Sequence, residues 1–160
     1  MASRFRIGVV CLAACLSGCL SLPGGWPNGG GTLSLTLDGQ SRDYGAMAGY
    51  IPYGDGVQIV GTATDLTTIT VTLSGDEAGD YPVVNTPPST ASSGAYAYVL
   101  MMCADQGYES TSGVVHLSAS TGSRCQGTFS CTLVGEDDDS VARSITSGTF
   151  DVPNMSAITP

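Results

Sequence analysis

Catalysis near neutral pH needs a group that titrates there or an activated nucleophile, and this chain is poor in both. It has a single histidine, His116, no lysine, and five basic residues: Arg4, Arg6, Arg42, Arg124 and Arg143. His116 alternates with Val115 and Leu117, which places it on the face opposite theirs, a surface position. No Gly-x-Ser-x-Gly elbow, HExxH pair, Walker loop or CxxC pair is present. Carboxylates remain as acid–base groups, and two of them facing one cleft would be the minimum for hydrolysis. The expectation is a protein that is not an enzyme, with a carboxylate-based hydrolase as the least favoured alternative.

Three other groups of residues could bind rather than react. Glu136-Asp137-Asp138-Asp139 places four carboxylates side by side at a hairpin tip. Their mutual repulsion would be relieved by a hard cation with oxygen ligands, so Ca²⁺ held by Asp137, Asp138 and Asp139 is one reading. The other is a solvated acidic turn that blocks edge association, since the alternation of an EF-hand loop is missing. Asp76-Glu77-Ala78-Gly79-Asp80 is a second such turn. No cofactor beyond that Ca²⁺ is implied. Tyr96 and Tyr98 share a strand face with Leu100 and Met102, while Ala95, Ala97, Val99, Met101 and Cys103 occupy the other. A strand apolar on both faces is either buried on both or leaves one open to a ligand, where tyrosines could stack on sugar rings or on a protein partner.

The third group is the cysteines. Cys125 and Cys131 lie six residues apart in one expected strand, roughly 20 Å at about 3.3 Å per residue, beyond the reach of a disulfide. If Cys103 ends its strand near Gly113, the following hairpin returns Cys131 to the same end. A Cys103–Cys131 bridge between sheets is therefore expected, with Cys125 left as a buried thiol.

Cys11, Cys15 and Cys19 belong to a different kind of segment. Arg4 and Arg6 precede an apolar run from Ile7 to Leu16, and Leu16-Ser17-Gly18-Cys19 follows. A positive start, a short apolar stretch and small residues at a cut are the parts of a secretory leader. The run is too short for the roughly 20 residues that span a bilayer. The tetrapeptide matches the bacterial lipobox residue for residue, and no Ala-x-Ala site competes. Leu12-Ala13-Ala14-Cys15 also matches, but leaves only Ile7 to Leu12 as the apolar segment.

On these residues the chain resembles a bacterial lipoprotein precursor. The resemblance implies that the Cys19 thiol receives a diacylglyceryl group, that residues 1–18 are removed, and that the new amine is acylated. Palmitate is the expected type of acyl chain. Leu20 in place of Asp at the next position implies the outer membrane of a Gram-negative envelope.

The remaining chain fits this setting. Loss of the leader leaves three arginines against 14 carboxylates, a formal charge of −11. Such a surface repels nucleic acid and anionic headgroups, so attachment has to come from the lipid. Residues 19–31 form a Gly/Pro-rich tether whose reach is roughly 20 Å over about 12 residues. Trp26 within it either rests at the membrane interface or covers the domain's edge.

From Thr32 the apolar pattern has period two. Expected strands run over Thr32–Leu37, Gln40–Tyr53, Val57–Thr64, Leu66–Ser74, Asp80–Val84, Ala95–Cys103, Gly113–Ser120, Arg124–Val134 and Val141–Val152. Turns such as Asp38-Gly39 and Gly54-Asp55-Gly56 separate them. No mature segment has helical periodicity with a cap. The fold class is all-β: a single antiparallel β-sandwich of about nine strands over residues 32–153, with a meander in its second half and a short tail, 154–160.

Gly127-Thr128-Phe129 and Gly148-Thr149-Phe150 are alike, and Gly31-Thr32-Leu33 echoes them, as one local way to start a half-buried strand. This ending resembles small Thr/Gly-rich β-sandwich lipoproteins of unknown function in Gram-negative bacteria, a likeness that carries no activity. The expected role is noncatalytic, binding or structural, with a glycan or an envelope protein as partner. A carbohydrate-binding module using Tyr96 and Tyr98 is the alternative.

Overall fold

The computed structural model describes residues 30–45, 47–86, 94–104, 106–137 and 141–155. The leader with Cys19, Trp26, Asp138 and Asp139 lie outside the described residues. The regular elements are all strands: β1 (Thr32–Leu37), β2 (Gln40–Asp43), β3 (Met47–Tyr53), β4 (Gly56–Thr62), β5 (Thr68–Leu73), β6 (Gly79–Pro82), β7 (Ala97–Met102), β8 (Gly107–Ser120), β9 (Arg124–Gly135) and β10 (Ala142–Pro153). They make one antiparallel sheet in the order β2-β1-β10-β9-β8-β7-β5-β4-β3, with β6 attached to β8. The protein is thus all-β and antiparallel, and β7 to β10 form the meander.

Period-two patterning gives the sheet one apolar face, which must be covered. The sheet covers it by curling on itself. Tyr50 of β3 bridges Asn154, just beyond β10. Gly61 of β4 lies against Leu33 and Tyr44, and the Tyr44 hydroxyl reaches Sδ of Met101 in β7 at 3.9 Å. Strands from distant positions in the order therefore face one another like the two layers of a sandwich. One core results, with Leu33, Ile59, Ile69, Val99, Val115, Leu133 and Ile145 fully enclosed.

Two departures from the expected strands change what the sheet positions. The segment Gln40–Tyr53 breaks at Tyr44-Gly45, where the amide of Gly45 donates to Oδ1 of Asp43 at 2.7 Å and Tyr44 turns into the core. This side-chain turn competes with the ladder, and it sends β2 and β3 to opposite ends of the strand order.

The second departure is the start of β8, six residues earlier than Gly113. Glu109, Thr111 and Ser112 give this stretch a loop-like polarity, yet Tyr108 and Ser110 within it are buried. Ser110 sits where β8 changes partner from β7 to β6. Its Oγ accepts from the Val99 amide at 3.0 Å and donates to the Val84 carbonyl at 2.9 Å. One hydroxyl thus supplies the hydrogen bonds that the exchange of partners would leave unmade.

The two Gly-Thr-Phe tripeptides lie directly against each other on β9 and β10. Phe129 stands opposite Gly148, Thr128 opposite Thr149, and Gly127 opposite Phe150. Each ring covers the glycine of the other motif, and the ring centroids are 6.4 Å apart. What reads as a repeated strand start is a reciprocal clasp.

Candidate functional site

The aromatic face on β7 is closed. Tyr98 is 3% exposed and Tyr96 is half-buried, while Ala97, Val99 and Met101 pack into the core from the other side. Thr72 and Val60, on the neighbouring β5 and β4, are buried too. The strand is covered on both faces, and Tyr98 offers no platform on which a sugar ring could stack.

His116 projects from the outer face of β8 between the fully buried Val115 and Leu117. Its Nδ1 lies 2.7 Å from Oδ1 of Asp80 on β6. Thr128 is its direct neighbour on β9, so Asp, His and Thr stand in one cross-strand row. The hydrogen bond of the imidazole is to Asp80, and none links it to Thr128. The row lies on an exposed strand surface, where water is not excluded from a reacting group.

The expected disulfide is corrected by the register. None of Cys103, Cys125 and Cys131 is disulfide-bonded. Cys131 does stand opposite Gly113, but Cys103 follows Met102, whose partner is Gly107. The six residues of β8 read as loop separate the two levels, roughly 20 Å along the strands, far beyond disulfide reach. Burial pushes the Cys125 and Cys131 thiols up to about 12. Thiolate is the reactive form. A maleimide added to the native protein is therefore expected to modify Cys103, which is partly exposed, well before either of the others. Equal labelling of all three, followed by peptide mapping, would contradict this burial.

Asp137 is exposed, and among the described residues no three carboxylate, imidazole or thiol groups come together as a metal site. Asp138 and Asp139, the other two ligands read for Ca²⁺, lie outside the described residues.

The arginines of the described residues are each matched to an aspartate. Arg42 pairs with Asp65 at 3.8 Å, Arg143 with Asp38 at 3.2 Å, and Arg124 with Asp151 at 2.6 Å. The hydrogen bond from Arg124 holds the Asp151 carboxyl below the usual carboxylate range. Arg143 also lies over the ring of Tyr108, 5.0 Å from its centroid.

A cleft of about 460 Å³ opens at the end of the sheet where β3 turns into β4 and β8 into β9. Four separated parts of the chain line it: Tyr50, Pro52 and Gly54 to Val57 from the β3–β4 hairpin, Asp76, Ser120 to Gly122, and Asn154. Tyr50 and Val57 are buried in its floor. The Tyr50 hydroxyl donates to the Thr121 carbonyl. Asn154 ties the β8–β9 turn down, its amide donating to Ser123 O and its Nδ2 to Gly122 O, both at 2.9 Å. Asp55 and Asp76 are exposed at the rim. Burial raises the Tyr50 phenol, with Asp76 adding to the effect through its charge.

In the sequence, Asp55 reads as a hairpin turn and Asp76 as an acidic turn. Nothing in their spacing brings them together with Tyr50 or Asn154. No protein family, no curated protein and no solved structure matches the chain.

Proposed function

We propose that this chain is a lipid-anchored envelope protein with a noncatalytic binding or structural role, its β-domain carried on a tether from Cys19. The observation that carries the reading is Leu16-Ser17-Gly18-Cys19 after a leader of the right charge and length. The strong negative charge of the mature chain supports it, because an acyl anchor holds at a membrane a surface that headgroups would repel. The noncatalytic part draws support from the exposed setting of the His116–Asp80 pair.

Intact-mass and peptide mass spectrometry of the membrane-extracted mature protein tests the anchor. The expected N-terminal residue is Cys19 carrying a diacylglyceryl group and an amide-linked acyl chain. An unmodified N-terminus at any other residue overturns the reading.

A further inference from the structure

The curled sheet closes along a narrow seam. In the strand order β3 pairs with β4 alone, and its other side meets the end of β10. Tyr50 bridges Asn154 there, and a Cβ on Gly31 would run into Ala48 O and the ring of Pro153. The closest contact across the seam is a thioether. A Cβ on Gly49 would fall on Cγ and Sδ of Met155, so the methionine rests on the bare backbone of the glycine. Gly49 stands opposite Val60, which alternates with the core-facing Ile59 and is only 6% exposed. Met155 thus covers the outer side of β3 where the sheet ends.

A methionine is an apolar side chain that an oxidant can make polar. Met101, in the core, is fully enclosed, and the Tyr44 hydroxyl is turned to its sulfur. Met155 is partly exposed and so within reach of an oxidant in solvent. The side chain that closes the seam is therefore also one whose chemistry can be changed from outside.

We propose that Met155 is a redox-sensitive latch: oxidation of its thioether to the sulfoxide by a peroxide releases residues 153–155 from β3 and bares the edge of that strand. A sulfur lone pair takes one peroxide oxygen, the O–O bond breaks as the S–O bond forms, and with hydrogen peroxide the other oxygen leaves as water with both hydrogens. Sulfur gives up two electrons and the peroxide gains them. The new oxygen is a hydrogen-bond acceptor. On Gly49 it would be held against apolar backbone beside Pro153 O, another acceptor, and a polar group buried without a partner is costly. In water it is satisfied. Withdrawal of the side chain leaves unpaired backbone groups along β3, the kind of edge on which another strand can form. Pro52, which lacks an amide hydrogen, blunts that edge only beyond Ile51. Reductases return the sulfoxide to the thioether, so the latch is reversible. It does not depend on how the chain is held at the envelope, and its failure is separable from that of the anchor.

The test is hydrogen exchange at the amides of Gly49, Tyr50 and Ile51 in the full-length protein, before and after titration with hydrogen peroxide, with peptide mass spectrometry locating the added oxygen. Oxygen is expected on Met155 while Met101 stays unmodified, and exchange at these amides should rise about tenfold, as for a local opening made easier. Methionine sulfoxide reductases for both epimers should restore the starting rate. Met155→Leu keeps an apolar side chain without sulfur and should exchange slowly with or without peroxide, which separates the latch from oxidation of the cysteines or of Met102. Met155→Gln, with a polar end on a chain of similar length, should exchange fast before any peroxide is added. The proposal is overturned if Met101 is oxidised before Met155, if the Met155 sulfoxide leaves the exchange unchanged, or if Met155→Leu responds to peroxide as the wild type does.

Discussion

Cys19→Ser should abolish incorporation of labelled palmitate and leave a precursor that still carries residues 1–18, visible as a larger mass. The hydroxyl is a far weaker nucleophile than a thiolate, and by resemblance to bacterial lipoproteins the leader is cut only after the thiol is modified. The expected effect is complete, because the resemblance assigns the lipid to Cys19. A mature surface of three arginines and 14 carboxylates gains nothing from anionic lipid. Several acyl chains hold a protein where one is marginal, at about 0.8 kcal/mol per buried methylene. Cys15→Ser is the matched control, since Leu12-Ala13-Ala14-Cys15 is the competing tetrapeptide. It should label normally. Label retained in Cys19→Ser and lost in Cys15→Ser would move the anchor by four residues.

The Gly-Thr-Phe clasp should dominate the stability of the domain. A Cβ on Gly148 would clash with the carbons along one side of the Phe129 ring, and one on Gly127 would meet both the His116 carbonyl and the ring of Phe150. Neither obstacle is the free end of a flexible chain, so alanine forces a buried ring or a strand backbone to shift. Overpacking of this kind costs about 1–3 kcal/mol, and both sites belong at the upper end. Removing the rings acts in the opposite sense. Phe129→Ala and Phe150→Ala open cavities in a core where both rings are 3% exposed, and should each cost about 3–5 kcal/mol.

The two effects are coupled because they share the same space. Gly148→Ala combined with Phe129→Leu should be less destabilising than the sum of the two single changes, by about 1 kcal/mol. Thr128→Val and Thr149→Val, on the exposed outer face of the same pair, should stay within about 0.5 kcal/mol of wild type. Urea unfolding followed by far-UV circular dichroism measures the series. Glycine variants as stable as the wild type would mean that the rings do not cover the glycines.

The outcome at β8 shows how one boundary decides a site. Val115, His116 and Leu117 alternate, and that half of the strand is legible as a pattern. The half from Gly107 to Ser112 is not, because its buried members are a tyrosine and a serine. Ser110 is enclosed for its hydrogen bonds to Val84 and Val99, which no hydropathy pattern records. Reading those six residues as loop moved Cys103 to the level of Cys131 and suggested a bridge that the register forbids. The split at Tyr44-Gly45 has the same origin, a local Asp43 turn set against a continuing ladder.

By itself the sequence determined the strand class, most strand cores, the outward position of His116 and the resemblance of its start to a lipoprotein leader. Each of these rests on local periodicity or on contiguous residues, and backbone geometry reads such patterns without knowing the fold. Only the tertiary structure decided that the two Gly-Thr-Phe motifs clasp one another, that Tyr98 is covered on its outer side, and that Asp55, Asp76, Tyr50 and Asn154 share one cleft. Those facts depend on which strands become neighbours and in what register. A shift of one residue turns every side chain to the other face, and the cleft arises only when the β3 edge of the curled sheet comes back against the β8–β9 turn and Asn154.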